Sequence, residues 1–219
     1  MKSACIPLLL LPALVCSQTL PEKPFLSNRN YRLQTELYEV YRTDSATVVM
    51  LGNSITFGVQ WNELMGRSGI VNRGIGSDVT EGFLHRLEYV YRLHPALCCI
   101  MGGINDIYND IPVDSIFSTY ALITRELRGH DITPVIQSTL YVSPRWKRAA
   151  EKNRDVIALN RLLETYAREE GIDYLDLNDV LSADGVLKDE VTYDGVHLNA
   201  LGYRLWRDRL ETMLKKHSL

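Results

Sequence analysis

The chain has 219 residues, with 24 lysines and arginines against 27 aspartates and glutamates, a formal net charge of −3. That length supports one sizeable core rather than two generous domains, and the balance excludes both a basic nucleic-acid surface and an acidic tail. With 46% hydrophobic and 23% charged residues the composition is that of an ordinary globular protein, which sets aside collagen, coiled coil and disorder.

Residues 1–17 read as a secretory signal peptide: Lys2 is a short positive start, and residues 6–15 are apolar apart from two prolines. Val15 and Ser17 suit positions −3 and −1 of a cut before Gln18, so the mature protein is expected to be periplasmic or extracellular. A second reading makes Cys16 the lipidated first residue of an exported lipoprotein, because Leu14-Val15-Cys16 loosely resembles a lipobox. No later stretch approaches the ~20 consecutive apolar residues of a membrane span, so no integral segment is expected in the mature chain. Cys5 and Cys16 fall in the signal. Cys98 and Cys99 are adjacent in an apolar run, where they are poor disulfide partners and read as small buried hydrophobes.

Residues 18–28 carry two prolines and little pattern, and read as a leader wrapping the domain. Over residues 31–42, Leu33, Leu37, Val40 and Tyr41 recur at helical spacing. The run 47–51 is β-branched and apolar and stops at Gly52, which fits a buried strand. The alternation then repeats: helix at 61–65 and strand at 69–72; helix at 79–93 and strand at 96–101; helix at 113–128 and strand at 133–139. A long amphipathic helix spans 153–170, with Ile157, Leu159, Leu162, Leu163 and Tyr166 as its core face. Strand 173–177 and a closing helix over 199–216 follow. Strands alternating with helices mean βαβ units and a mostly parallel α/β sheet covered on both faces. The expected organisation is the signal at 1–17, leader and helix at 18–46, and one globular domain to residue 219.

Ligands of such sheets bind beyond the carboxyl ends of the strands, and glycines and small polar residues cluster there. Ser54 follows the first strand. A hydroxyl attacks only if a base takes its proton, and the base needs a carboxylate to orient it. Of five histidines, only His197 has a loop setting with a carboxylate, Asp194, at short fixed spacing. Taken singly, Ser54 also reads as a helix N-cap, His197 as a cap of the last helix, and Asp194 as a turn residue; the joint placement favours chemistry. Acyl transfer also needs donors for the developing oxyanion. The side chain of Asn105, the backbone of Ser54 and the turn at 74–78 can supply them, although these glycines also suit plain tight turns. No histidine or cysteine pair has metal-ligand spacing, and neither glycine pair matches a phosphate-binding fingerprint; neither metal nor cofactor is expected.

Four blocks in order, Gly52-Asn53-Ser54-Ile55, residues 72–78, Gly103-Ile104-Asn105-Asp106 and Asp194-Gly195-Val196-His197, resemble the SGNH (GDSL-like) hydrolase family. Trp61-Asn62-Glu63-Leu64 through Arg86-Leu87-Glu88 looks like its platelet-activating-factor acetylhydrolase-type branch. The resemblance covers residue 47 to the C-terminus and implies a flavodoxin-like three-layer α/β/α fold. It further implies a metal-free serine esterase with Ser54 as nucleophile, His197 as base, Asp194 as orienter, and an oxyanion hole of Ser54, Asn105 and Ser77. Two departures stand out. Ser77 replaces the family's oxyanion glycine, and Asn53 replaces the Asp that usually precedes the nucleophile; Asn53 is expected to brace the loop. The branch's preference for short acyl groups, together with export, implies removal of acetyl esters from carbohydrate. Lysophospholipid or general short-chain esters come second, thioesters third, and a catalytically silent glycan-binding module is the non-enzyme alternative. Tyr108, Tyr141, Trp146 and Tyr193 fall on loops expected near the same rim, where they would line a substrate site together with Asn53; Trp61 is expected to be structural.

Overall fold

The computed structural model describes residues 23–219; the signal-peptide and Cys16 readings lie outside them. In chain order the elements are α1 (Pro24–Ser27), α2 (Arg29–Val40), β1 (Val48–Gly52), α3 (Ser54–Phe57), α4 (Trp61–Met65), β2 (Ile70–Gly74), α5 (Thr80–His85) and α6 (Glu88–Tyr91). They continue with β3 (Leu97–Met101), α7 (Ile104–Tyr108), α8 (Val113–Gly129), β4 (Thr133–Gln137), α9 (Ala149–Glu170) and β5 (Asp173–Leu175). The chain closes with α10 (Asn178–Leu181), the two-residue strands β6 (Ser182–Ala183) and β7 (Val186–Leu187), a 3₁₀ turn (Asp189–Val191) and α11 (Ala200–Lys216).

The main sheet has five parallel strands in the order β2-β1-β3-β4-β5. β1 and β3 are apolar along their whole length because both faces of the sheet are covered, and every residue in them is buried. Helices α5, α8 and α9 pack against one another, while α11 packs on α4, α10 and β5. On the α11 side Trp61 and Trp206 meet edge to face at 4.8 Å, and Trp61 Nε1–H donates to the Thr56 carbonyl, so Trp61 is structural. Strand order reverses between β1 and β3, and the segments leaving those two strands carry Ser54 and Asn105. This is the crevice where open α/β sheets place ligands. Cys98 and Cys99 are free, buried thiols pushed upward by burial, Cys99 to about 12.

Three expectations need correction. The helix expected over 79–93 is two, because Arg86 turns inward to the ends of β1 and β2 and interrupts it. The helix read from Leu33, Leu37, Val40 and Tyr41 is present as α2, with Tyr41 its C-cap, and those four residues are 43% to 69% exposed. α2 instead buries Tyr38, whose ring lies 4.5 Å from the Arg73 guanidinium. α9 starts at Ala149 rather than 153, and its first turn buries two polar residues. Lys152 reaches the Ile107 carbonyl, and Asn153 pairs with the backbone of Val142 in both directions. Its core face is Val156, Leu159, Leu163 and Ala167, with Ile157, Leu162 and Tyr166 only half-buried. Strands β4 and β5 end two residues early, where Ser138 and Asn160 side chains take over backbone bonding. In the described part of the N-terminal segment, Phe25 is buried and stacks on His85 at 4.8 Å.

Candidate active site

β1 runs straight into an elbow at Gly52-Asn53-Ser54. A Cβ on Gly52 would sit 2.1 Å from Thr56 Oγ1 and 2.6 Å from the Met101 carbonyl, so only glycine lets the chain turn here against β3. Asn53 is the N-cap of α3: its Oδ1 accepts from the Ile55 N–H at 2.9 Å, while its Nδ2 has no partner among the described residues. The residue is fully buried, so it braces the elbow and is not brought to the substrate. Ser54, first residue of α3, is thereby held at the rim with its Oγ outward.

His197 and Asp194 come from a loop that closes on itself. Thr192 bridges to Leu198, the Thr192 hydroxyl donates to the His197 carbonyl, and the Gly195 N–H donates back to the Thr192 hydroxyl. Gly195 has φ +100°, which a side chain would strain, and its carbonyl accepts from the Ser143 N–H at 2.8 Å. Asp194 Oδ1 accepts from the N–H groups of Val196 and His197, which leaves Oδ2 aimed at the ring. The Oδ2–Nδ1 distance is 2.6 Å and Nε2 lies 2.9 Å from Ser54 Oγ. A carboxylate only accepts, so Nδ1 carries the proton and the Nε2 lone pair faces the serine hydroxyl. Burial pulls the Asp194 carboxyl up, but the hydrogen bonds from His197 and from the Val196 N–H outweigh it and hold the group below its ordinary range. The last helix is capped by Asn199 rather than His197: Asn199 Oδ1 accepts from the N–H groups of Leu201 and Gly202.

On the other side of the elbow, β2 ends in the 74–78 turn. Ser77 has φ +60°, the left-handed conformation expected of the glycine it replaces. Among the described residues, the N–H groups of Ser54 and Ser77 donate to no protein acceptor. Asn105 Nδ2 donates to the Asp78 carbonyl at 2.9 Å, which fixes the amide and leaves its second N–H free for a ligand. Below the turn lies buried charge. Asp78 pairs with Arg86 at 2.8 Å, both side chains fully buried. Asp106 stands in for a helix cap, accepting from the N–H and hydroxyl of Thr80 where Val79 offers no side-chain acceptor. Burial raises the Asp78 and Asp106 carboxyls, each to about 6.

A cleft of about 410 Å³ opens beside this turn, lined by Ser77, Asn105, Tyr108, Asn109, Lys147 and Arg148. Tyr108 is brought to it, with its hydroxyl committed to the Lys147 carbonyl at 2.7 Å and its phenol raised to about 12 by burial. Tyr193 is 66% exposed and stacks on His197, ring centroids 5.8 Å apart and 15° from parallel. Trp146 lies against Gly195 in the same loop system. Tyr141 is half-buried against the core, its backbone N–H donating to Asn178 Oδ1, and among the described residues no hydrogen bond or ring contact ties it to Ser54, Asp194 or His197. The residues the sequence reading passed over are Arg86, Lys147 and Arg148. Arg86 carried a signal, since it sits among Val79, Phe83, Leu87 and Val90 in an otherwise apolar stripe.

The GDSL-like lipase/acylhydrolase family model matches residues 50–205. The chain is similar in structure to a Bacteroides fragilis protein described as an acylhydrolase, with 25% identity, TM-score 0.75, 90% of this chain and 99% of that one. A Streptococcus pneumonia protein described as a platelet activating factor superposes at TM-score 0.75 and 25% identity, over 84% of this chain and 92% of that one. An acetyl xylan esterase shares the fold at TM-score 0.66 and 20% identity, over 76% and 98%. An N-acylneuraminate cytidylyltransferase from Streptococcus agalactiae is 27% identical over 118 residues, 51% of this chain, which spans only 28% of that relative's length. The family-model match over residues 50–205, on a five-stranded parallel sheet in flavodoxin-like order, shows that the chain belongs to the GDSL-like lipase/acylhydrolase family of ester hydrolases.

Proposed function

We propose that this chain is an exported serine esterase that removes short acyl groups, acetyl foremost, from carbohydrate. The observation that carries the reading is the continuous hydrogen-bond chain from Asp194 through His197 to Ser54 at the strand-order reversal. As His197 Nε2 takes the hydroxyl proton, Ser54 Oγ adds to the ester carbonyl. The oxygen that becomes negative is received by the N–H groups of Ser54 and Ser77 and the free N–H of Asn105. His197 then returns its proton to the departing alcohol, leaving an acyl-Ser54. Water, deprotonated by the same imidazole, releases the carboxylic acid and restores the serine.

The alcohol must leave beside His197, where Tyr193 presents an open aromatic face of the kind that stacks on sugar rings. The fold shared with an acetyl xylan esterase is consistent with that substrate class. The test is hydrolysis of p-nitrophenyl acetate, butyrate and octanoate, followed by acetylated oligosaccharides. Preference for acetate with release of acetate from the glycans is expected; turnover of octanoate alone would contradict the reading. One observation favours longer apolar esters as a second reading. A groove of about 740 Å³ runs along β2, lined in part by Leu37, Tyr41, Phe57 and Val59, and begins one turn after Ser54.

A further inference from the structure

Arg86 sits where α5 breaks before α6, and its guanidinium touches three separate segments. Nε donates to Asp78 Oδ2 at 2.8 Å, Nη1 to the Arg73 carbonyl at 2.7 Å, and Nη2 to the Gly52 carbonyl at 2.9 Å. The face of the Phe83 ring lies 5.0 Å away. The same Gly52 carbonyl also accepts from the Ile75 N–H at 3.0 Å, so the end of β1 and the start of the 74–78 turn meet on one oxygen.

Each oxyanion donor named above lies one or two steps from this guanidinium. The Ser54 N–H is two residues beyond Gly52. The Ser77 N–H belongs to the left-handed residue next to Asp78, whose side chain Arg86 grips. The Asn105 amide is aimed by the Asp78 carbonyl. Burying an ion pair is a costly way to fill space, since apolar side chains of equal volume pack as stably or better. A planar fork adds something packing cannot: simultaneous directional bonds to three chain segments.

Resting on the esterase reading, we propose that the buried Arg86–Asp78 pair is the positioning device of the oxyanion hole, setting its three donors relative to one another. Neither residue touches substrate; both act through backbone groups. Removing the fork lets the Ser77 and Asn105 donors drift relative to Ser54 while leaving the Ser54–His197–Asp194 hydrogen bonds in place, so the loss falls on the transition state and not on ground-state binding.

The experiment compares wild type, Arg86→Lys and Asp78→Asn. Active sites are counted by fluorophosphonate titration, kcat and KM are measured on p-nitrophenyl acetate, and affinity is measured for a trifluoromethyl ketone, whose adduct with Ser54 bears an anionic oxygen. Lysine keeps the charge but cannot span three acceptors. Its kcat per titrated site is expected to fall about 10²-fold, the scale of a small misplacement of reacting groups. KM should stay near wild type, and ketone affinity should fall in step with kcat/KM. Asp78→Asn keeps an acceptor for Nε and should move the same quantities less; it supplies the reading if the lysine variant does not fold. Fewer titratable sites and a lower Tm with unchanged kcat per site would reduce the pair to a structural role and overturn the proposal. A wild type without Ser54-dependent turnover would overturn the esterase reading, and the proposal with it.

Discussion

In the proposed reaction the 74–78 turn and the 192–198 loop serve the same serine, yet one is fixed from inside the protein and the other mainly by its own backbone. The turn rests on Arg86, Asp78, Asp106 and Thr80, all buried. The loop is closed by Thr192 and Asp194 through short-range bonds, with one long-range tie from the Ser143 N–H to the Gly195 carbonyl, and the Asp194 and His197 side chains remain 29% and 30% exposed. The proposed chemistry accounts for the difference. Donors that stabilise developing charge help most when they need not reorganise, which favours a rigid, desolvated support. An imidazole that takes a proton, gives it to an alcohol and then activates water must stay within reach of solvent.

The largest effects are therefore expected on the loop side and at the nucleophile. Ser54→Ala and His197→Ala should each lower kcat about 10⁶-fold, because the triad acts as a unit, while thermal unfolding stays near wild type. Asp194→Asn should cost about 10⁴-fold by presenting the wrong tautomer to Ser54. Near-normal turnover in any of the three would break the assignment of roles. On the turn side, Asn105→Ala removes one donor of three and should cost about 10²–10³ in kcat with little change in KM. A loss as large as that of Ser54→Ala would mean the two sides are not separable.

The smallest effect concerns pH. The Asp106 carboxyl is raised by burial to about 6 in the folded protein, against about 3.9 in the unfolded chain. Since the folded state binds this proton more tightly, the contribution to stability is complete below pH ~4 and is lost as pH rises through 6. A carboxyl-carbon NMR titration should give a midpoint near 6 for Asp106. A midpoint near 4 would show that the support under the turn is better solvated than the fold implies.

The contrast between turn and loop also explains what could be read in the sequence. The strands were legible because burial on both faces writes β1 and β3 as unbroken apolar runs. Asp194 and His197 were legible because their pairing is local, three residues apart on one turn. The Arg86 link was not, because its partners Asp78, Arg73 and Gly52 lie 8, 13 and 34 residues away and meet only through the fold. The same blindness extended α5 through its break at Arg86. It also hid the first turn of α9, where Lys152 and Asn153 are buried by hydrogen bonds that hydropathy does not register. At α2 the helix was legible but its docking face was not. Leu33, Leu37, Val40 and Tyr41 have the spacing of a core face, but the helix docks through Tyr38 on Arg73 and leaves that stripe in solvent.

The most direct test of the central claim is covalent: a fluorophosphonate is added to the protein and to its His197→Ala variant, and the labelled peptide is located by mass spectrometry. A single adduct on Ser54 is expected, formed at least about 10³-fold more slowly without the imidazole. No labelling, labelling elsewhere, or equal rates in the two proteins would contradict an activated Ser54.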